Sequence, residues 1–109
     1  MSEYQAPKDE MTFVINEIAR INDIAATNKY TEISPDVVDA ILEEAGKFCS
    51  EVLSPLNLPG DVQGSKLENG IVRTPDGFRE AYKKFTQAGW NGMPFDEKYG
   101  GQNLPWLLT

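Results

Sequence analysis

The sequence contains no histidine and only one cysteine, and these two absences exclude several classes of chemistry. Without histidine, neither Ser-His nor Cys-His catalysis is available to the chain by itself. A single thiol, Cys49, forms no intramolecular disulfide and cannot supply a zinc ligand set. We therefore predict no metal site, and we interpret Cys49 as a small core residue.

Long apolar runs and an excess of basic residues are absent as well. No run approaches the ~20 apolar residues of a membrane span, and the N-terminus has neither the basic nor the apolar region of a secretion signal. Ten basic and seventeen acidic residues give a net charge of −7. This balance argues against nucleic acid or an anionic membrane as a partner. We expect a cytoplasmic protein.

What is present is the composition of one folded domain. The 109 residues are 40% apolar and 25% charged, which favours a globular chain with a modest core over a disordered one.

The first periodic segment predicts a helix that follows an extended arm at residues 1–7. Its apolar residues recur every three or four positions: Met11, Val14, Ile15, Ile18, Ile21 and Ala25. Asn28 is the predicted stop. We interpret this face as core packing; the alternative is a docking face for a larger partner domain.

Ser34-Pro35 predicts the start of a second, longer helix, since serine caps a helix and proline suits its first position. Its apolar stripe comprises Val37, Val38, Ile41, Leu42, Ala45, Phe48, Cys49, Val52 and Leu53. We expect a Glu43–Lys47 pair on its surface. Pro55 is predicted to end or kink the helix, and residues 57–64 read as a loop.

Lys66 to Val72 predicts a small hairpin around Asn69-Gly70. A phosphate-binding loop is the less favoured alternative, because no strand precedes it and no Gly-Lys-Ser/Thr follows. Thr74-Pro75 repeats the Ser34-Pro35 pattern and predicts a third helix that Gly89 ends. The stripe of this helix is Phe78, Ala81, Tyr82, Phe85 and Ala88. The predicted fold is all-α, a small bundle of three to four helices with a short hairpin.

The stretch from Ala88 to Pro105 is too apolar for a linker and too rich in glycine and proline for a long helix. Residues 96–99 predict one helical turn that Gly100-Gly101 stops. We interpret the carboxylates of Asp96 and Glu97 as part of a solvated turn. The chain then ends on Leu107-Leu108-Thr109, an apolar end that is typical of a truncation.

The run from Ser34 to Pro105 resembles the N-terminal helical domain of the acyl-CoA dehydrogenases. The residues that carry the resemblance are, in order, the long helix Val37 to Leu56 with Phe48, Glu51 to Asn57, Gly60-Asp61, Gly64, Thr74 to Tyr82, Ala88 to Gly92 and Glu97 to Pro105. The usual family signature at the last of these is Glu-Tyr-Gly-Gly-Gln-Gly-Leu-Pro. Here Lys98 is inserted, and Asn103 replaces a glycine, a mild change because asparagine tolerates positive φ.

The segments Tyr4 to Pro7 and Met11 to Val14 resemble the leader of a longer branch of this family. That branch includes the 3-methylmercaptopropionyl-CoA dehydrogenase-like enzymes. It usually has aspartate where Glu10 stands. The resemblance divides the chain into a leader, residues 1–30, and a helical domain, residues 31–109.

The resemblance implies part of an FAD-dependent enzyme that removes hydrogens from the α and β carbons of an acyl-CoA thioester. In that family a carboxylate takes the α proton and the flavin takes a hydride, and both sites lie mainly in later domains. No residue here matches a family catalytic position, so we predict no catalytic, cofactor-binding or metal-binding residue in this chain. We expect no FAD on the chain alone. The expected partners are the remaining domains and, through the whole enzyme, acyl-CoA.

Two other hypotheses remain. One is a stand-alone helical module whose exposed aromatic face binds a protein. The other is self-association of the chain through its uncovered apolar surface.

Overall fold

The computed structural model describes residues 4–109, which form four helical rods and one β-hairpin. The first rod is α1 (Lys8–Phe13) followed by a π turn (Val14–Ile18), and the second is α2 (Ile21–Ala25). The third rod is the longest and consists of α3 (Pro35–Phe48), a second π turn (Cys49–Leu53) and α4 (Ser54–Gln63). The fourth rod is α5 (Phe78–Gln87). The hairpin consists of β1 (Lys66–Glu68) and β2 (Ile71–Arg73). The mostly helical fold with a hairpin is confirmed; part of the predicted arm, residues 1–3, lies outside the described residues.

The prediction of one continuous helix from Met11 to Ala25 was wrong, because the chain breaks at Arg20. Arg20 has φ 56°, in the left-handed region, and α2 begins directly after it. The π turn before the break also changes the helical spacing, so only part of the predicted stripe faces inward. Ile15 and Ile21 are buried, whereas Val14 and Ile18 are exposed.

The start of the third rod is as predicted, but its end is not. The Val37 N–H donates to Ser34 Oγ at 3.3 Å, which is the expected cap. Residues 57–63, predicted as part of a loop, continue the rod as α4, which Gly64 ends with a φ of 66°. Pro55 is the second residue of α4, directly after the π turn. A proline ring clashes with the carbonyl four residues earlier, so we attribute its tolerance to the wider π turn.

Packing against α5 explains why helix-breaking residues remain inside α4. Pro59 lies within α4, and Gly60 is buried beside it. A Cβ atom on Gly60 would lie 2.6 Å from the Phe78 ring. The two helices therefore approach closely at Gly60, and tertiary contact overrides a poor local helix propensity.

The hairpin around Asn69-Gly70 is confirmed. The strands are antiparallel, with Lys66 opposite Arg73, Leu67 opposite Val72 and Glu68 opposite Ile71. Asn69 and Gly70 have φ values of 50° and 76°, as a type I′ turn requires at both central residues. All six strand residues are exposed.

Thr74-Pro75 does not start a helix, so this prediction was wrong. The chain makes a turn in which the Phe78 N–H donates to the Pro75 carbonyl at 3.3 Å. Gly77 supplies the positive φ of 85° at the third position of that turn, where a type II turn needs glycine. The Asp76 N–H is bonded instead to Gln63 Oε1 at 2.9 Å, and α5 begins at Phe78.

The buried core is small and joins the two ends of the chain. Ile15, Ile21 and Val38 form its centre, and the residues packed around them are Ile33, Leu42, Leu107 and Leu108. The apolar residues Leu107 and Leu108 therefore pack against the buried cluster of the N-terminal half. The molecule is a thin slab of 53 × 35 × 18 Å with a radius of gyration of 17.0 Å, against about 13 Å for a compact domain of this size. Much apolar surface consequently stays exposed.

The ion pairs on α3 differ from the predicted Glu43–Lys47 pair. Lys47 Nζ pairs with Glu44 at 3.1 Å, and Glu43 accepts a hydrogen bond from Lys8 of α1. The Lys8 ammonium lowers the pKa of the Glu43 carboxyl, first through this hydrogen bond and second through its charge. The pair thus joins the first rod to the third.

Candidate functional site

The chain from Ala88 to Pro105, hereafter the Gly-rich connection, folds back on itself. Three backbone N–H groups donate across the fold: Gln102 to the Gly92 carbonyl at 3.0 Å, Asn103 to Phe95 at 2.8 Å, and Leu104 to Met93 at 2.9 Å. Met93 and Leu104 are buried, and Pro105 is fully buried. The Gly-rich connection is therefore folded and partly buried.

Gly101 occupies the tightest position in the Gly-rich connection. A Cβ atom there would lie 2.0 Å from the Phe95 carbonyl oxygen, a distance that no side chain allows. The predicted single turn precedes it: Glu97–Tyr99 is a 3₁₀ turn, and Gly100 ends it with φ 86°. Gly101 is therefore required for close backbone approach, and Gly100 for its conformation.

Thr31, which the sequence did not single out, anchors the Gly-rich connection to the N-terminal half. Its N–H donates to the Asn103 carbonyl at 2.9 Å, and its Oγ1 donates to the Gln102 carbonyl at 2.8 Å. Asn103 Nδ2 returns a longer bond of 3.4 Å to the Lys29 carbonyl. Asn103 has φ 51°, which agrees with the tolerance expected of asparagine at that position.

The two carboxylates in the Gly-rich connection have structural partners. Asp96 Oδ1 accepts from the Lys98 N–H at 2.7 Å and so caps the 3₁₀ turn. Glu97 Oε1 accepts from Thr31 Oγ1 at 3.3 Å. Both residues are exposed. This geometry agrees with a solvated turn and does not place a carboxylate in an enclosed site.

Aromatic side chains fix the Gly-rich connection to the helices. The Phe48 ring of α3 lies 6.1 Å from Phe85 and 6.4 Å from Trp90 between centroids. Phe95 meets Trp106 edge to face at 5.6 Å, an arrangement that aromatic pairs prefer. Phe48 of α3 therefore packs both on α5, through Phe85, and on the connection, through Trp90.

A groove of about 610 Å³ runs between α4 and α5. Its wall is mostly apolar; the lining residues include Leu53, Leu56, Phe78, Ala81, Tyr82 and Phe85. The polar residues of the lining are Asn57, Asp61 and Ser65. On the apolar stripe predicted for α5, Tyr82 is 66% exposed and Phe78 is 39% exposed, whereas Ala81 is buried. We call this feature the α4–α5 groove.

Within residues 4–109, no group of three or more acidic or cysteine side chains could hold a metal ion. Cys49 is a free, half-buried thiol on the second π turn. None of the helices in this range is long and apolar enough to cross a bilayer.

No family model matches the sequence. Over 102 residues, 94% of the chain, it is 39% identical to 3-methylmercaptopropionyl-CoA dehydrogenase of Ruegeria pomeroyi, of which it covers 17%. Over 100 residues, 88% of the chain, it is 29% identical to butyryl-CoA dehydrogenase of Syntrophomonas wolfei, of which it covers 16%. The chain is therefore similar to these two acyl-CoA dehydrogenases, and it spans about one sixth of their length.

Proposed function

We propose that residues 31–109 are the N-terminal helical domain of an acyl-CoA dehydrogenase, with residues 1–30 as its leader. The observation that carries the proposal is the 39% identity, which extends over 94% of the chain. In the whole protein, the proposed reaction is α,β-dehydrogenation of an acyl-CoA thioester. Acyl-CoA and the other domains are then its partners, and the proposed compartment is the cytoplasm.

The role of this chain in that protein is structural. The segment that most resembles the family, the Gly-rich connection, uses its polar groups internally: Gln102 Nε2 donates to the Gly89 carbonyl at 2.9 Å, and Asp96 and Glu97 are bonded to neighbours. A catalytic base needs reach to a substrate proton and a pKa suited to the task. We assign no catalytic, cofactor-binding or metal-binding role to any residue here.

FAD belongs to the proposed whole enzyme, where it would accept hydride. The residues described here do not fit such a group. Among residues 4–109 there is no buried polar or charged residue and no buried side-chain polar atom without a partner. The α4–α5 groove is mostly apolar, and its one charged lining residue, Asp61, is acidic and repels a diphosphate. We derive no step through the flavin from this chain.

A second function, a helical interaction module, is favoured by the exposed aromatic residues. Tyr82, Tyr99 and Trp106 are all more than half exposed. Large exposed aromatic side chains are enriched where proteins bind one another. A reading frame that ends at Thr109, together with a stable monomer that captures a protein, would favour this module.

The test compares the 109-residue chain with the longest reading frame that contains it. We expect the longer protein to purify with flavin and to reduce an artificial electron acceptor with an acyl-CoA substrate. We expect the 109-residue chain to do neither. Stoichiometric flavin on the short chain would overturn its structural role; a longer protein without flavin or acyl-CoA oxidation would overturn the family activity.

A further inference from the structure

We propose that Asn69 is a site of spontaneous covalent modification, at which the side-chain amide deamidates and the residue becomes isoaspartate or aspartate. The proposal does not depend on the proposed enzyme function. It rests on a comparison within the chain. The sequence has two Asn-Gly pairs, Asn69-Gly70 and Asn91-Gly92, and the structure holds their backbones very differently.

The reaction needs only the chain and water. The Gly70 backbone nitrogen attacks the Asn69 Cγ atom and gives up its proton. A C–N bond forms there, the bond from Cγ to the side-chain nitrogen breaks, and that nitrogen leaves as ammonia. Water then opens the resulting five-membered succinimide ring at either carbonyl, which gives aspartate or isoaspartate. No electrons are gained or lost, and glycine hinders the attack least because it has no side chain.

The attacking nitrogen of the first pair is accessible. Within residues 4–109, the Gly70 N–H donates no hydrogen bond to another backbone group. Asn69 and Gly70 are both exposed, and the space beside the Gly70 Cα is open. Neither a backbone partner nor neighbouring side chains therefore hold this nitrogen away from Asn69.

The hairpin must open before the ring closes, and it is weakly held. Ring closure needs a rotation about the Asn69 Cα–C bond, away from the left-handed conformation that its φ of 50° marks. All six strand residues are exposed, and a two-stranded hairpin without packing is marginally stable. The ion pair across it joins Arg73 Nε to Glu68 at 2.8 Å, with both side chains more than half exposed. Such a pair adds little stability.

The Asn91-Gly92 pair has the same chemistry but a fixed backbone. The Gly92 N–H donates to the Gly89 carbonyl at 3.0 Å, and the Gly92 carbonyl accepts from the Gln102 N–H at 3.0 Å. Met93, the next residue, is buried. Rotation at the second pair therefore requires the Gly-rich connection to come apart. An opening of that kind costs much more free energy than the opening of an unpacked hairpin.

Isoaspartate at position 69 changes the hairpin more than aspartate does. Its backbone runs through an extra methylene group, so the two-residue turn no longer fits the register in which Lys66 lies opposite Arg73. Either product adds a negative charge to a chain whose net charge is −7. Because the strand residues are exposed, we expect the helical rods to stay folded after the reaction.

The test stores the native chain in mildly alkaline buffer and follows both Asn-Gly peptides by mass spectrometry. Chromatography separates the aspartate and isoaspartate forms, and a sample taken at the start corrects for deamidation during digestion. We expect Asn69 to deamidate about tenfold faster than Asn91, or more, because its backbone opens more often. Incubation in guanidinium chloride is the matched control: both pairs are then unfolded and should react at similar rates.

A variant of the ion pair tests whether opening of the hairpin sets the rate. Arg73→Gln removes the pair with Glu68 without altering the reacting residues. It should raise the Asn69 rate about twofold to threefold and leave the Asn91 rate unchanged. Lys83→Gln is the matched control, since it removes a similarly exposed pair on α5 and should change neither rate. Circular dichroism will verify that both variants, and the aged native chain, remain folded.

Three results would overturn the proposal. Equal rates at Asn69 and Asn91 in the native chain would show that the structure does not select the site. A native Asn69 that reacts only in denaturant would show that the hairpin protects it. An Asn69 rate that Arg73→Gln does not change, or that Lys83→Gln raises equally, would show that opening of the hairpin does not control the reaction.

Discussion

At the scale of single residues, Gly101 controls the fold of the Gly-rich connection through the space it leaves for a carbonyl. Its Cβ position is 2.0 Å from the Phe95 oxygen, whereas Gly100 faces open space and is constrained only by its φ of 86°. The two neighbouring glycines are therefore required for different reasons: Gly101 for lack of space and Gly100 for its positive φ.

We expect Gly101→Ala to lower the free energy of unfolding by about 3 kcal/mol or more, because backbone must move to admit the methyl group. Urea denaturation followed by tryptophan fluorescence measures the loss. Gly100→Ala is the control, with an expected loss of about 1–2 kcal/mol from left-handed strain alone. Equal losses in the two variants would contradict the close approach at Gly101.

Glu43 gives a pH dependence whose sign follows from its pKa. Lys8 lowers the pKa of Glu43 below the ordinary 4.5 in the folded chain. The pair therefore stabilises the fold above that ordinary value, and the stabilisation is lost as pH falls through the folded pKa. We expect the melting temperature of the native chain to fall over this acid range more than that of Glu43→Gln. Identical pH profiles would show that the pair has no effect on stability.

At the scale of elements, a Ser/Thr-Pro pair predicted the start of a helix correctly at Ser34-Pro35 but not at Thr74-Pro75, where Gly77 forms a turn. Ser34-Pro35 and Thr74-Pro75 are alike in sequence, yet only Ser34 caps a helix. Gly77 redirects the second pair into a turn, and Gln63 takes the Asp76 N–H. The partner Gln63 is thirteen residues away, so no local pattern shows it.

Breaks within helices were the hardest features to predict. Arg20 adopts a left-handed conformation that its residue type does not suggest. Pro55 and Pro59 suggested a loop, but the π turn and the contact of Gly60 with Phe78 keep α4 helical. In the Gly-rich connection the turns could be predicted from the glycines. The hydrogen bonds from Thr31 to the connection could not, because Thr31 lies far away in the sequence.

Pro59 should weaken α4, because it removes a hydrogen bond inside a helix. We expect Pro59→Ala to raise the free energy of unfolding by about 1–2 kcal/mol, since restored helix propensity exceeds the entropy that proline removes from the unfolded chain. Pro55→Ala, in the first turn of α4, is the control and should change stability less. Urea denaturation of the two variants measures both effects. A loss of stability in Pro59→Ala would contradict this account.

At the scale of the whole molecule, the chain buries little for its length. Its central buried cluster is Ile15, Ile21 and Val38, Met93 and Leu104 are buried apart from that cluster, and apolar side chains such as Val62 and Ile71 are exposed. A thin slab of this kind has little interior in which to bury them.

We expect small-angle X-ray scattering of the dilute monomer to give a radius of gyration near 17.0 Å. A compact domain of this length would give about 13 Å. A value near the compact figure at low concentration would contradict the slab, because it requires the groove to close. Extrapolation over a concentration series separates the monomer from associated forms.

The bonds of Thr31 to Gln102 and Asn103 also order the events of protein synthesis. Ile15 and Ile21 are translated well before Leu107 and Leu108, which pack against their cluster. A nascent chain that stops before the Gly-rich connection has helices without a closed core. We therefore expect the apolar face of Ile15 and Ile21 to stay uncovered during synthesis until Leu107 and Leu108 have emerged.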